Sequence, residues 1–392
     1  MNTAVNIPPS PNPTVDVRIG SRTALAGAAI AFIIFVLGYD DLKKGTLFAI
    51  GLGLGMSLFY SSFGFAAAYR KAIVHKQMTG VIAQIIMIGF ATVLFAPVLA
   101  EGKAVGAWAP VGVQVGVGAF IFGIGMQLGG ACASGTLFTI GGGNGRMFIA
   151  LVFFCLGAFI GSLHLGWWGQ LPSWGTHSLG QTFGWGQGVV IQLVLFSLMI
   201  YVLMRIGRKT QQVPLWFGFS NLKEFITGPW PLLLSALSLA FLNFLTLLNA
   251  GHPWSVTWAF TLWGAKLATL FGWDSTTSAF WSAPFQSNAL SGSIFEDTTS
   301  LMNIGVIVGA FIAAFIANKF SFKIKMSFKN FLAIAIGGVL MGYGARLAYG
   351  CNIGALFSGM ASTSLHAWLW IVCAMMGTYL GIKIRPFFDL EK

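Results

Sequence analysis

Two stretches decide how this chain is read: GIGMQLGGACASGTLF (123–138) and GYGARLAYGCNIGALF (342–357). A shift of 219 residues lays one on the other without a gap. Seven of sixteen positions are then identical: Gly123/Gly342, Gly125/Gly344, Leu128/Leu347, Cys132/Cys351, Gly135/Gly354, Leu137/Leu356 and Phe138/Phe357. An apolar composition produces chance matches of Gly and Leu, but it rarely sets a Cys of each copy among the same glycines. The same shift carries the apolar run 80–100 onto the region of 301–318, and 147–165 onto 366–384. Duplicated halves mark transporters and channels, whose substrate site lies near the bilayer midplane where interrupted segments from both halves meet.

Composition narrows the class further. Of 392 residues, 56% are hydrophobic and only 8% charged, against about 25% charged in an average soluble domain. Mean hydropathy is +0.79. Too few charges exist to cover a soluble enzyme, the apolar content excludes disorder, and long apolar runs without period-2 alternation exclude a porin-type barrel. The expected fold is therefore an all-α polytopic membrane protein. It is built of two pseudo-symmetric, inverted repeats whose short re-entrant half-helices meet at the centre. The excess of 22 basic over 10 acidic residues marks cytoplasmic loops and attraction to anionic membrane lipids, not a nucleic-acid partner.

A spanning helix needs about 20 mainly apolar residues. Eleven candidates run near 23–38, 46–69, 80–100, 107–128, 147–165, 187–204, 230–249, 255–272, 301–318, 331–348 and 366–384. Basic clusters at Arg18 and Arg22, at Arg70, Lys71 and Lys76, at Arg205, Arg208 and Lys209, at Lys319, Lys323, Lys325 and Lys329, and at Lys383 and Arg385 cannot all be cytoplasmic with eleven clean crossings. One segment within 255–300 is therefore expected to stop short. The uncharged loop 166–186, with four tryptophans, reads as external and interfacial. The expected divisions are a disordered tail (1–22), a first transmembrane repeat (23–186), a connecting helix and cytoplasmic loop (187–229) and a second repeat (230–392).

Cys132 and Cys351 are the central candidates. An isolated Cys in a membrane helix usually packs as a small hydrophobe, and that reading suits Cys155 and Cys373, which lie in continuous apolar helices. Cys132 and Cys351 instead share a Gly-rich break. A thiol in apolar surroundings keeps its proton and offers a weak, soft S–H donor, suited to sulfur or selenium more than to a hard oxyanion. N–H groups at half-helix N-termini favour anions. Gly130, Gly135, Gly350 and Gly354, with Asn352, would let substrate approach the backbone. Arg346 and its repeat counterpart Gln127 are candidates to draw an anion into the pathway, though Arg346 could equally satisfy carbonyls at a broken helix end. Lys266 is either a second such charge or a snorkelling side chain. Asp297 and Glu296 read as helix caps, and His366 as an interfacial anchor. No metal or disulfide pattern occurs among the four cysteines, and the ATP-binding loop G-x-x-x-x-G-K-[ST] is absent. No cofactor is expected.

At these residues the sequence resembles the YeeE/YedE family of bacterial inner-membrane sulfur-compound transporters. The resemblance covers roughly 25–386 and is strongest in GIGMQLGGACASGTL and in GYGARLAYGCNIGALFSG followed by SLHAW. It implies import of thiosulfate, a small inorganic anion, handed between cysteines by S–H···S hydrogen bonds. Those roles carry onto Cys132 and Cys351. The family pattern S-x-F-C-F-x-A-A-x-R meets SSFGFAAAYR (61–70) here, so Gly64 stands where a third Cys is usual. That departure, and a second half closer to the YedE branch, keep a selenium species or another sulfur compound open as cargo. A membrane sulfurtransferase subunit is the less favoured alternative. It would need an accessible thiolate, and neither central Cys has a Lys or His within four residues. Any sulfur-carrier protein on the cytoplasmic side is expected to be a separate chain.

Overall fold

A computed structural model describes residues 42–207, 214–219, 221–322 and 324–391. The helix expected over 23–38, the tail before it, and Arg18, Arg22, Arg208, Lys209 and Lys323 lie outside the described residues. Twelve longer helices carry the architecture: α1 (Leu42–Ser61), α2 (Phe65–His75), α3 (Thr79–Ala100), α4 (Val113–Gly129), α5 (Ala133–Gly141), α6 (Gly145–Leu163), α7 (Trp185–Ile206), α8 (Leu232–Ala250), α9 (Thr257–Leu270), α10 (Thr298–Ile316), α11 (Phe328–Leu347) and α12 (His366–Ile384).

Apolar runs such as the uncharged 22 residues of α3 become helices because hydrocarbon offers no partner to backbone N–H and C=O groups. Among the described residues nine helical stretches are long and apolar enough to cross a membrane. α9 is not one of them: its 14 residues span about 21 Å, short of a hydrocarbon core of about 30 Å. The segment expected to stop short within 255–300 is therefore this one.

Glycine sets the helix crossings. A Cβ on Gly55 of α1 would lie 2.1 Å from the Val306 carbonyl oxygen of α10, and one on Gly309 would lie 2.1 Å from that of Leu52. The α4–α11 crossing is equally close, with Gly118, Gly125, Gly337 and Gly344 all facing backbone, and Gly157 and Gly342 do the same for α6 on α11. Without a hydrophobic drive between helices in lipid, such close backbone approach supplies the packing that holds them together. Phe122, Phe154, Phe260 and Trp370 fill the centre, with Phe154 and Phe260 edge to face at 4.8 Å.

The 166–186 loop has more regular structure than expected. It holds short helices at Leu165–Trp168 and Leu179–Phe183, and a strand, Ser173–Thr176, paired antiparallel with Pro110–Gly112. Trp167 and Trp174 are exposed.

Candidate functional site

Both Gly-rich stretches interrupt a helix at the Cys. α4 ends where Gly130 turns into the left-handed region, φ +83°, which glycine enters without steric cost. α5 then starts with Cys132 as its N-cap, the Sγ accepting from the Gly135 N–H at 3.4 Å. α11 ends at Leu347, and a seven-residue π-helical turn, Asn352–Ser358, starts with Cys351 in the same capping position. Its Sγ accepts from the Ile353 N–H at 3.4 Å. A Cβ at Gly350 (φ +150°) would lie 2.6 Å from the Ala355 nitrogen. π-turns inside helices are frequent at functional sites.

The two thiols are 1% and 0% exposed and belong to the same buried core. Tyr69 of α2 shares that core and takes a hydrogen bond from the Asn352 amide, beside Cys351, at 3.5 Å. Ser134 Oγ is 3.5 Å from Cys132 Sγ. Gln127 donates to the Ala66 carbonyl at 3.1 Å, and its own carbonyl receives Arg385 of the C-terminal turn. The side-chain oxygens of Gln127 and Asn352 are buried without a donor. Cys132, Cys351, Gln127, Asn352, Gly130, Gly135, Gly350 and Gly354 thus belong to one central region. Sequence reasoning passed over Tyr69, Ser134 and Arg385. Tyr69 stood inside the quoted SSFGFAAAYR stretch and Ser134 inside GIGMQLGGACASGTLF, whereas Arg385 read only as part of a basic cluster.

The remaining candidates lie to either side. Arg346 holds its guanidinium 4.6 Å from the Phe280 ring centre and 6.0 Å from that of Trp258. Among the described residues it has no carboxylate within ion-pair distance, and its Nε is buried without a partner. Trp258 in turn donates to Asp297 at 2.8 Å. It lines a cavity of about 470 Å³ that also includes His252, Ser255 and Glu296. Gly64, at the N-cap of α2, lines a second cavity of about 310 Å³ with Ser61, Lys71 and Gln84. Lys266 donates to the carbonyls of Leu290 and Gly292, each at 2.6 Å, closing the C-terminal end of the short helix Pro284–Ser291. Asp297 caps α10 through the Ser300 N–H at 2.7 Å, whereas Glu296 bonds back to the Ser293 N–H. His366 is no interfacial anchor: it is 1% exposed, its Nδ1 2.7 Å from Ser364 Oγ. The fold of the chain after Thr363 packs its ring against Gly359. Among the described residues no group of three His, Cys, Asp or Glu could hold a metal ion.

A multi-pass helical bundle with paired polar breaks defines a membrane transport protein in class, and sequence comparison supplies the family. The family model described as sulphur transport matches residues 60–380, and the chain belongs to that family. It is 28% identical to the "Thiosulfate transporter TsuA" of Spirochaeta thermophila over 278 residues, covering 67% of this chain and 74% of that one. It is 27% identical to the "Thiosulfate transporter TsuA" of Escherichia coli over 282 residues, with 69% and 74% covered. It is also 34% identical to the "Probable transporter YedE" of Escherichia coli over 142 residues. That last match spans 36% of this chain and about a third, 34%, of YedE.

Proposed function

We propose that this chain imports a small soft-sulfur anion, thiosulfate foremost, across the bacterial inner membrane by passing it between Cys132 and Cys351. One observation carries the reading: two buried thiols cap two broken helices within one central core. Each Sγ is already an acceptor for a backbone N–H, so its S–H hydrogen is the group left to offer. The terminal sulfur of thiosulfate is a soft acceptor for that hydrogen. First-turn N–H groups of the two broken helices favour the negative charge, and Arg346, a cation with rings but no carboxylate beside it, draws the anion inward.

The central pair is read as the meeting point of two inverted halves, 23–186 and 230–392, joined by 187–229. The packing supports this. α6 lies against α11 as α12 lies against α4, with α4 and α11 in mutual contact. On that reading the two cavities are counterparts. The one beside Lys71 opens toward the cytoplasm, where basic residues collect, and the one beside Glu296 opens outward.

Uptake of sulfur-labelled thiosulfate by cells lacking their own importers tests the function. Excess unlabelled sulfate, which has no terminal sulfur, should compete poorly, and equal competition by sulfate would refute the soft-sulfur reading.

A further inference from the structure

The segment Trp254–Val256 connects α8 to α9, and its backbone is held from three directions. The Trp254 N–H donates to Asn243 Oδ1 of α8 at 2.7 Å, and the Trp254 carbonyl accepts from Ser358 Oγ of the Cys351 turn at 2.7 Å. The Val256 carbonyl accepts from Asn303 Nδ2 of α10 at 2.9 Å. Asn243 Nδ2 also donates to Ser358 Oγ, closing a small network. Ser255, between the two clamped residues, lines the larger cavity. Its hydroxyl lies 3.3 Å from where a Cβ on Gly354 would sit. The segment is therefore the wall between that cavity and the turn that Cys351 opens.

One polar group of the wall is left over. Trp254 is fully buried, and its indole N–H has no acceptor. The other two fully buried tryptophans do have one: Trp281 donates to Ser162 Oγ at 2.8 Å, and Trp370 to the Gly350 carbonyl at 3.3 Å. An unmade bond at a buried donor costs free energy comparable to a whole hydrogen bond. Such groups persist where something other than folding uses them.

We infer that Trp254 is a substrate-binding residue: its indole N–H holds an oxygen of the anion while Cys351 holds the terminal sulfur. The inference rests on the thiol reading above and deepens it. A site with one soft and one hard donor selects anions carrying both kinds of acceptor, the class of sulfur oxyanions with a terminal sulfur.

The test compares Trp254→Phe and Trp281→Phe with the parent in the purified full chain, measuring thiosulfate affinity and the thermal midpoint without thiosulfate. Trp254→Phe removes the donor together with part of the ring, so the midpoint should fall about as in Trp281→Phe, while thiosulfate binding weakens tenfold or more, the order of one hydrogen bond to a charged acceptor. Trp281→Phe should lower the midpoint and leave affinity unchanged. Parent-like affinity in Trp254→Phe, or an equal loss of affinity in Trp281→Phe, would overturn the inference. Cys132→Ala and Cys351→Ala separate the two ideas. Full affinity and uptake in these would sink the thiol reading, whereas lost uptake there beside parent-like binding in Trp254→Phe would sink only the role of Trp254.

Discussion

Alanine at Gly337 should loosen the α4–α11 crossing that sets the distance between the two thiols. The added Cβ would stand 2.3 Å from the Gly129 nitrogen, 2.8 Å from the Gly125 carbonyl oxygen and 2.8 Å from the Gly129 Cα. All three are backbone atoms in helix, so none can swing aside. Carbon contacts settle near 3.5–4.0 Å, and relief requires the helices to part by roughly 1 Å there. Overfilling a tight contact costs about 1–3 kcal/mol. Gly129 lies three residues before Cys132, so the displacement falls on the break itself. Gly337→Ala is expected to lower the thermal midpoint and to reduce thiosulfate uptake per molecule at the membrane. The control is Gly186→Ala in the first turn of α7, where a Cβ meets nothing. It should be neutral or stabilising by up to about 1 kcal/mol, because glycine is a poor helix former. A Gly337→Ala protein as stable and as active as Gly186→Ala would refute the argument that this crossing locates the thiols.

Other residues give narrower tests. Asp297→Ala removes the cap of α10 and the acceptor of the Trp258 indole, and should cost about 1–2 kcal/mol in thermal or denaturant unfolding. Lys266→Met leaves the Leu290 and Gly292 carbonyls without their donor. It should speed hydrogen exchange or proteolysis around 284–292 while sparing thiosulfate affinity. Arg346→Gln keeps a polar side chain and removes the charge stacked on Phe280. Initial uptake at sub-saturating thiosulfate should fall about tenfold, equivalent to about 1.4 kcal/mol, whereas unchanged uptake would free Arg346 from the pathway.

The parts of this molecule legible in the sequence are those that local chemistry writes. Apolar runs of 19 residues or more announce the crossing helices, whereas the basic clusters place a stop only somewhere within 255–300, and the structure assigns it to the 14 residues Thr257–Leu270. The breaks at Gly130–Cys132 and Gly350–Cys351 stand out because glycines with positive φ end helices wherever they fall. What stayed hidden depends on neighbours distant in sequence. Tyr69 meets Asn352 across 283 positions, and Trp254 is placed by Asn243 and Ser358, which hold its backbone from 11 and 104 positions away. A π-turn at 352–358 has no pattern distinct from an α-helix of the same composition. Lys266 reads in sequence as a pathway charge or a snorkelling side chain, and His366 as an interfacial anchor. Carbonyls 24 and 26 residues downstream take up Lys266, and packing against Gly359 buries His366.

The most direct measurement is labelled thiosulfate uptake by cells lacking other importers, comparing the parent, Cys155→Ala and the double variant Cys132→Ala, Cys351→Ala at matched membrane levels. The account predicts that Cys155→Ala transports as the parent does and that the double variant does not transport. Parent-like uptake by the double variant would contradict it.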